Sequence, residues 1–164
     1  VHAPYAGAMT SPYRANPLDL RIPPPVVAGA AAAAQWFLTR NNPRHTPVGR
    51  AAAAGLAAVG ATIGARGLLH FDDAGTTFHP HHPEETTTLV THGVYSRTRN
   101  PMYVGMALGL LGLAAHHGRA VALLPIPAYL AYLQRFQIRP EERALAARFG
   151  AEYAEYSRRV RRWV

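Results

Sequence analysis

The sequence predicts an all-α protein, an integral membrane helical bundle of about four transmembrane helices followed by a C-terminal amphipathic interfacial helix. Three observations carry that expectation. Hydrophobic residues make up 49% of the chain and charged residues 16%, whereas roughly a quarter charged is usual in a soluble domain. The apolar residues gather in four runs that are hydrophobic around the whole helix instead of along one stripe. The formal charge of +8 comes entirely from arginine, because the sequence has no lysine, and those arginines cluster on one side of such a bundle. The mean hydropathy of -0.07 understates the apolar content, much of which is alanine.

A length of 164 residues fits one domain. Residues 1–25 read as an irregular arm, rich in proline and closing on Arg21, Ile22 and Pro23 to Pro25, which cannot continue a helix but can lead into one. Residues 26–164 form the single domain. Its four candidate spans are Val26 to Leu38, Ala51 to Phe71 (interrupted by Arg66), Pro101 to Ala115, and Ala120 to Phe136. Each uninterrupted run falls short of the ~20 residues of a perpendicular span, so buried helices of a soluble bundle are the alternative. The spacings Gly60 to Gly64 and Gly105 to Gly109 favour lipid, where small residues let helices approach closely. Pro125 and Pro127 predict a kink in the fourth segment.

With four spans, both ends and the Asp72 to Asn100 connection share one side. Thirteen arginines (14, 21, 66, 97, 99, 135, 139, 143, 148, 158, 159, 161 and 162) lie there, against Arg40, Arg44, Arg50 and Arg119 opposite. That bias predicts a cytoplasmic location for the ends. The three arginines between the first two segments weaken the rule and leave open whether the first hairpin spans. Pro140 to Arg162 then reads as one amphipathic helix, with Leu145, Phe149, Tyr153, Tyr156 and Val160 on its apolar face.

Several function classes drop out. No arginine stripe is interleaved with stacking aromatics, and the densest cluster, Arg158, Arg159, Arg161 and Arg162, follows the last apolar segment. Membrane lipid is therefore the expected partner, and nucleic acid is not. Without cysteine there is no disulfide, thiolate metal site or cysteine nucleophile. The loop His79-Pro80-His81-His82-Pro83-Glu84-Glu85 has metal-binding residue types, but adjacent histidines separated by proline rarely converge on one ion, so no metal is expected.

The stretch from Thr87 to Tyr95, through Arg97 and Arg99 to Asn100-Pro101-Met102-Tyr103-Val104-Gly105, is a polar, glycine-punctuated loop running into an apolar helix. It can bring backbone groups, aromatic faces and polar side chains to one ligand at a lipid boundary. Further on, Glu141, Glu142, Leu145, Phe149, Gly150, Tyr153 and Tyr156 follow in order. These two stretches resemble the paired signature of the isoprenylcysteine carboxyl methyltransferase family and its bacterial membrane relatives, strongly over about residues 80–164.

The resemblance implies a methyltransferase using S-adenosylmethionine on a lipophilic acceptor, with a carboxylate on an isoprenoid-like molecule as the first choice. A phospholipid N-methyltransferase or a related NADPH-dependent sterol-type reductase are the alternatives. It further implies that Thr87, Thr88, Leu89, Val90, Tyr95, Asn100, Pro101, Met102, Tyr103 and Glu141 bind the cofactor. Asn100 and Tyr103 are also catalytic candidates, although Asn100 stands where the isoprenylcysteine enzymes carry histidine and cannot act as an acid or base near neutral pH. Arg135 and Arg139 are candidate anchors for an anionic acceptor, or boundary arginines reaching lipid headgroups. Structural readings compete at several positions: Glu141 and Glu142 as complements of a helix N-terminus, Asn100 and Pro101 as cap and first turn, and Tyr153 and Tyr156 as packing residues.

Overall fold

The computed structural model describes residues 16–73 and 88–164. Residues 1–15 of the expected arm, the His79 to Glu85 loop and Thr87 lie outside them. The described residues are helical, with no strand among them: α1 (Pro24–Thr39), α2 (Pro47–Asp73), α3 (Pro101–His117), α4 (Pro125–Leu133) and α5 (Arg139–Arg159). Short 3-10 turns at Gly93–Ser96 and Ala120–Leu123 precede α3 and α4. Prolines open α1 to α4, where a missing N–H leaves no helical hydrogen bond unmade.

Helices α2 and α3 run antiparallel, with Gly49, Gly60 and Gly67 facing Ala115, Gly105 and Pro101 in turn, and hydrogen bonds tie each end of the bundle. At one end the Arg44 N–H reaches the His117 carbonyl at 3.0 Å and His45 Nδ1 the His116 carbonyl at 2.8 Å. At the other, the Leu20 N–H donates to the Phe136 carbonyl at 2.9 Å. The closest helix pairing is α2 on α3. A Cβ on Gly60 would stand 2.6 Å from the Gly105 carbonyl oxygen, and one on Gly105 would stand 2.5 Å from that of Gly60. The small-residue spacing thus marks a real backbone contact at Gly60 and Gly105, while Gly64 and Gly109 face open space. Against α3 and α4 lies α1, fastened by the fully buried Gln35, whose Nε2 donates to the carbonyls of Leu110 at 2.9 Å and Ala122 at 2.8 Å.

Three expectations change. The fourth apolar segment and the C-terminal helix are one continuous rod: α4 passes through a π turn, Gln134–Ile138, into α5, with helical backbone at Leu133, Ile138 and Arg139. Pro140 explains the turn. Its ring excludes the carbonyl four residues earlier, that of Phe136, and the freed oxygen is the one that accepts from Leu20. Beside it Gln137 Nε2 donates to the Ile22 carbonyl at 2.6 Å. Glu141 and Glu142 therefore sit inside a helical rod and not at a free N-terminus, which removes the dipole argument for them.

The amphipathic helix is also not one helix. Gly150 has φ 50° and ψ -117° and splits it, a conformation disfavoured for side-chain-bearing residues. The break still leaves Tyr153, Tyr156 and Val160 packed with Leu145, Phe149 and Leu89 in one cluster, so the expected apolar face exists as a contact surface.

Finally, among the described residues only Pro47–His70 of α2 is long and apolar enough to cross a membrane. At ~1.5 Å per residue, α1 with 16 residues and α3 with 17 fall short of a ~30 Å hydrocarbon layer. The four expected spans reduce to one by length and composition.

Candidate functional site

The loop before α3 and the start of α5 meet at the end of the bundle where α1 and α3 begin. Tyr103, in the first turn of α3, is buried, and its hydroxyl donates to Glu141 Oε1 at 2.5 Å. The geometry follows from the backbone: proline at the start of α3 fixes that helix's first turn, and the π turn sets the rotation with which Glu141 leaves the rod. Burial pushes the Glu141 carboxyl up to about 8. The Tyr103 hydrogen bond opposes the shift, and the neighbouring Glu142 adds to it.

Tyr95 is buried on the 3-10 turn close enough to feel the Glu141 charge. Burial first, then Tyr156 and Glu141, hold its phenol well above the ordinary tyrosine range. The Tyr156 hydroxyl donates to the Tyr95 carbonyl at 2.8 Å and pins that turn to α5. Val90 is buried, Leu89 packs on the Tyr153 and Tyr156 cluster, and Thr88 is exposed. Met102 packs against the main core and Pro101 is buried. Thr87 lies outside the described residues.

Asn100 is buried and occupies the cap position of α3 without making a side-chain cap bond. Its Nδ2 instead donates to the Arg162 carbonyl at 2.8 Å, beside the Arg99 N–H on the Arg161 carbonyl at 3.0 Å. The two candidate anchor arginines do not join the Tyr103 and Glu141 pair. Arg135 forms an ion pair with Asp19 at 3.3 Å, and Arg139 lines a separate cavity with Arg99, Glu142, Arg143, Tyr153, Ser157 and Arg162.

Sequence reasoning missed Asp19, which also holds Arg143 at 3.1 Å, and the network around Glu142. That carboxylate accepts two bonds from Arg162, at 2.8 and 2.7 Å, and pairs with Arg99 at 3.1 Å. No spacing signals either. Asp19 stands 116 residues from Arg135 in sequence, and Glu142 looked equivalent to Glu141 until the rod gave them different faces. Among the described residues no group of histidines and acids is arranged to hold a metal.

A cobalt-zinc-cadmium resistance protein, CzcN, of Cupriavidus metallidurans is 41% identical over 76 residues, 46% of this chain and 35% of that protein. The chain thus spans about a third of that relative's length. A protein of Haemophilus influenzae described as uncharacterized is 36% identical over 63 residues, 38% of this chain and 100% of its own length. No solved structure matches. A sequence model of the phospholipid methyltransferase family matches residues 48–152, a span that opens at α2 and includes both Tyr103 and Glu141. The match covers well over half of the chain and agrees at the family level with the resemblance read from the motifs: the chain belongs to the phospholipid methyltransferase family.

Proposed function

We propose that this protein is an S-adenosylmethionine-dependent methyltransferase seated in the cytoplasmic membrane as a multi-pass bundle. Its ends and site face the cytoplasm, and its acceptor is an amine on a phospholipid headgroup. The observation that carries the reading is the hydrogen bond from the buried Tyr103 to the half-buried Glu141. Glu141 has no cationic partner among the described residues, and a half-buried carboxylate of raised pKa is the complement of a positively charged ligand.

These residues fit S-adenosylmethionine, which when bound supplies an electrophilic methyl group on a sulfonium. Val90, Tyr95, Tyr103 and Glu141 would hold it, with Glu141 toward the ammonium and Tyr103 fixing the carboxylate's orientation. Tyr95 and Tyr103 also offer aromatic faces to a headgroup cation, and their burial excludes water. Positioning is the main contribution the chain makes, a term that reaches ~7–11 kcal/mol in the best intramolecular cases. The alternative acceptor, a carboxylate, calls for a cation at the site, and neither Arg135 nor Arg139 joins the pair. That absence and the family match favour the amine. The membrane seat is supported by the exposed Val26, Trp36, Phe37, Val48, Val59 and Leu69 on α1 and α2, since so much bare apolar surface is costly in water.

Calorimetry on the protein in neutral detergent, titrated with S-adenosylhomocysteine and with NADPH, tests the cofactor. Binding of the first alone is expected, and Tyr103→Phe and Glu141→Gln should each weaken it by about tenfold. NADPH binding without S-adenosylhomocysteine binding would assign the chain to the reductase class. Mass spectrometry after incubation with phosphatidylethanolamine or a prenylated cysteine, each with S-adenosylmethionine, identifies the acceptor. A methylated amine is expected, and methyl ester formation alone overturns it.

A further inference from the structure

On the face of α5 turned away from Glu141 lies an open cavity of about 520 Å³, within the ~300–1,000 Å³ usual for small-ligand sites. Arg139, Glu142, Arg143 and Ala146 line it at helical three- and four-residue steps, Tyr153 and Ser157 extend it beyond Gly150, and Arg99 and Arg162 close it. Four guanidinium groups meet there; Glu142 pairs with Arg99 and Arg162, and Asp19 with Arg143. Arg139 is exposed and has no ion-pair partner among the described residues. The Nε of Arg99, a residue whose side chain is only 13% exposed, is buried without a hydrogen-bond partner there. The Tyr153 hydroxyl accepts from Arg99 at 3.1 Å, and its own proton has no acceptor among the described residues. A cavity rich in unused donors and positive charge is built for an anion with several oxygens, and arginine's planar fork suits phosphate.

We infer that this cavity is a second ligand site, binding the phosphate of an anionic lipid headgroup and docking α5 onto the membrane surface. The lipid source is favoured over free phosphate by position. Asn100 alone separates Arg99 from α3, and Arg139 opens α5 just past the π turn that ends α4, so the cavity sits at the level where the apolar segments end. The inference rests on the membrane seat proposed above and is independent of which acceptor is methylated.

The test uses the full chain in neutral maltoside detergent, with short-chain phosphatidylglycerol, short-chain phosphatidylcholine and inorganic phosphate as probes. Binding is read by calorimetry and by melting temperature. Phosphatidylglycerol should bind and raise the melting temperature, and its affinity should fall with added salt. Phosphatidylcholine, whose phosphate is the same but whose charge is balanced, should bind at least about tenfold more weakly.

Arg139→Ala removes an exposed, unpaired side chain and should fold normally, yet lose about tenfold in affinity for phosphatidylglycerol. Arg139→Lys should recover part of that loss. Undiminished affinity in Arg139→Ala, or equal binding of phosphatidylcholine, would overturn the site. Inorganic phosphate binding as tightly as the lipid would overturn the lipid assignment. S-adenosylhomocysteine binding in the same preparation reports separately on the methyltransferase reading, and membrane extraction reports on the membrane seat.

Discussion

Glu141 holds its proton because of where the rod carries it. A carboxyl whose pKa rises from 4.5 to about 8 on folding is protonated in the folded state and ionised in the unfolded one between those values. Folding then takes up a proton, so stability declines as pH rises from 4.5 toward 8 and levels off above. The melting temperature of the ligand-free protein should fall across that window, and Glu141→Gln should flatten the slope and raise the melting temperature near pH 8. Affinity for S-adenosylhomocysteine should move the opposite way, rising with pH in the native protein and not in Glu141→Gln, because a cationic ammonium selects the carboxylate form. Thermal unfolding and calorimetry at half-unit pH steps check both, and a pH-independent affinity would remove Glu141 from the cofactor's ammonium.

Part of this was legible in the sequence. Tyr103 and Glu141 stood in the two matched stretches, and the structure brings them to hydrogen-bond distance. Asn100 was legible as a site candidate and as the residue before a helix, but not by what it touches. Its bond to the Arg162 carbonyl joins positions 62 apart, and no local pattern encodes a partner at that distance.

At the scale of the elements, hydrophobic runs located the helices to within a few residues, because a run apolar on all sides has few other ways to satisfy its backbone. They did not reveal how the runs join. Pro140 read as a helix start, and the π turn that absorbs it depends on Leu20 and Ile22 arriving at the freed carbonyl and at Gln137. The glycine spacings were informative about α2 and α3 but did not distinguish their members. Gly60→Val should lower the thermal stability of the detergent-solubilised protein, by roughly 1–3 kcal/mol as for overpacked interiors, since its Cβ meets the Gly105 carbonyl at 2.6 Å. Gly64→Ala, with nothing within 4 Å, should be neutral or slightly stabilising through helix propensity. Equal losses in both would show that the seam is not where the helices touch.

For the whole molecule the sequence conveyed composition better than topology. Among the described residues the fold is all-helical as the apolar runs require, yet only α2 there meets the length and composition of a span. Short helices can still seat in lipid when their bare faces, such as Trp36 and Phe37 with Arg40 stacked 4.3 Å from the Phe37 ring, meet the boundary layer. The protein should accordingly remain in the membrane pellet after alkaline carbonate and be released by detergent. Complete release by carbonate would overturn the membrane seat.

The site end of the bundle is closed by bonds between distant parts of the chain, and this bears on how the protein is made. Leu20 is held by Phe136, Arg99 by Arg161, and Trp163 Nε1 by Gln134 Oε1 at 3.2 Å. Helices α2 and α3 can pair as the nascent chain emerges, because they pack on each other and follow one another in sequence. The pocket end must wait until the residues at 136 and 161–163 have left the ribosome, since loop closure over such separations comes late. During synthesis the half-built chain therefore presents Tyr103 and the loop before it without their cover, and a chaperone or the insertion machinery has that interval in which to engage them.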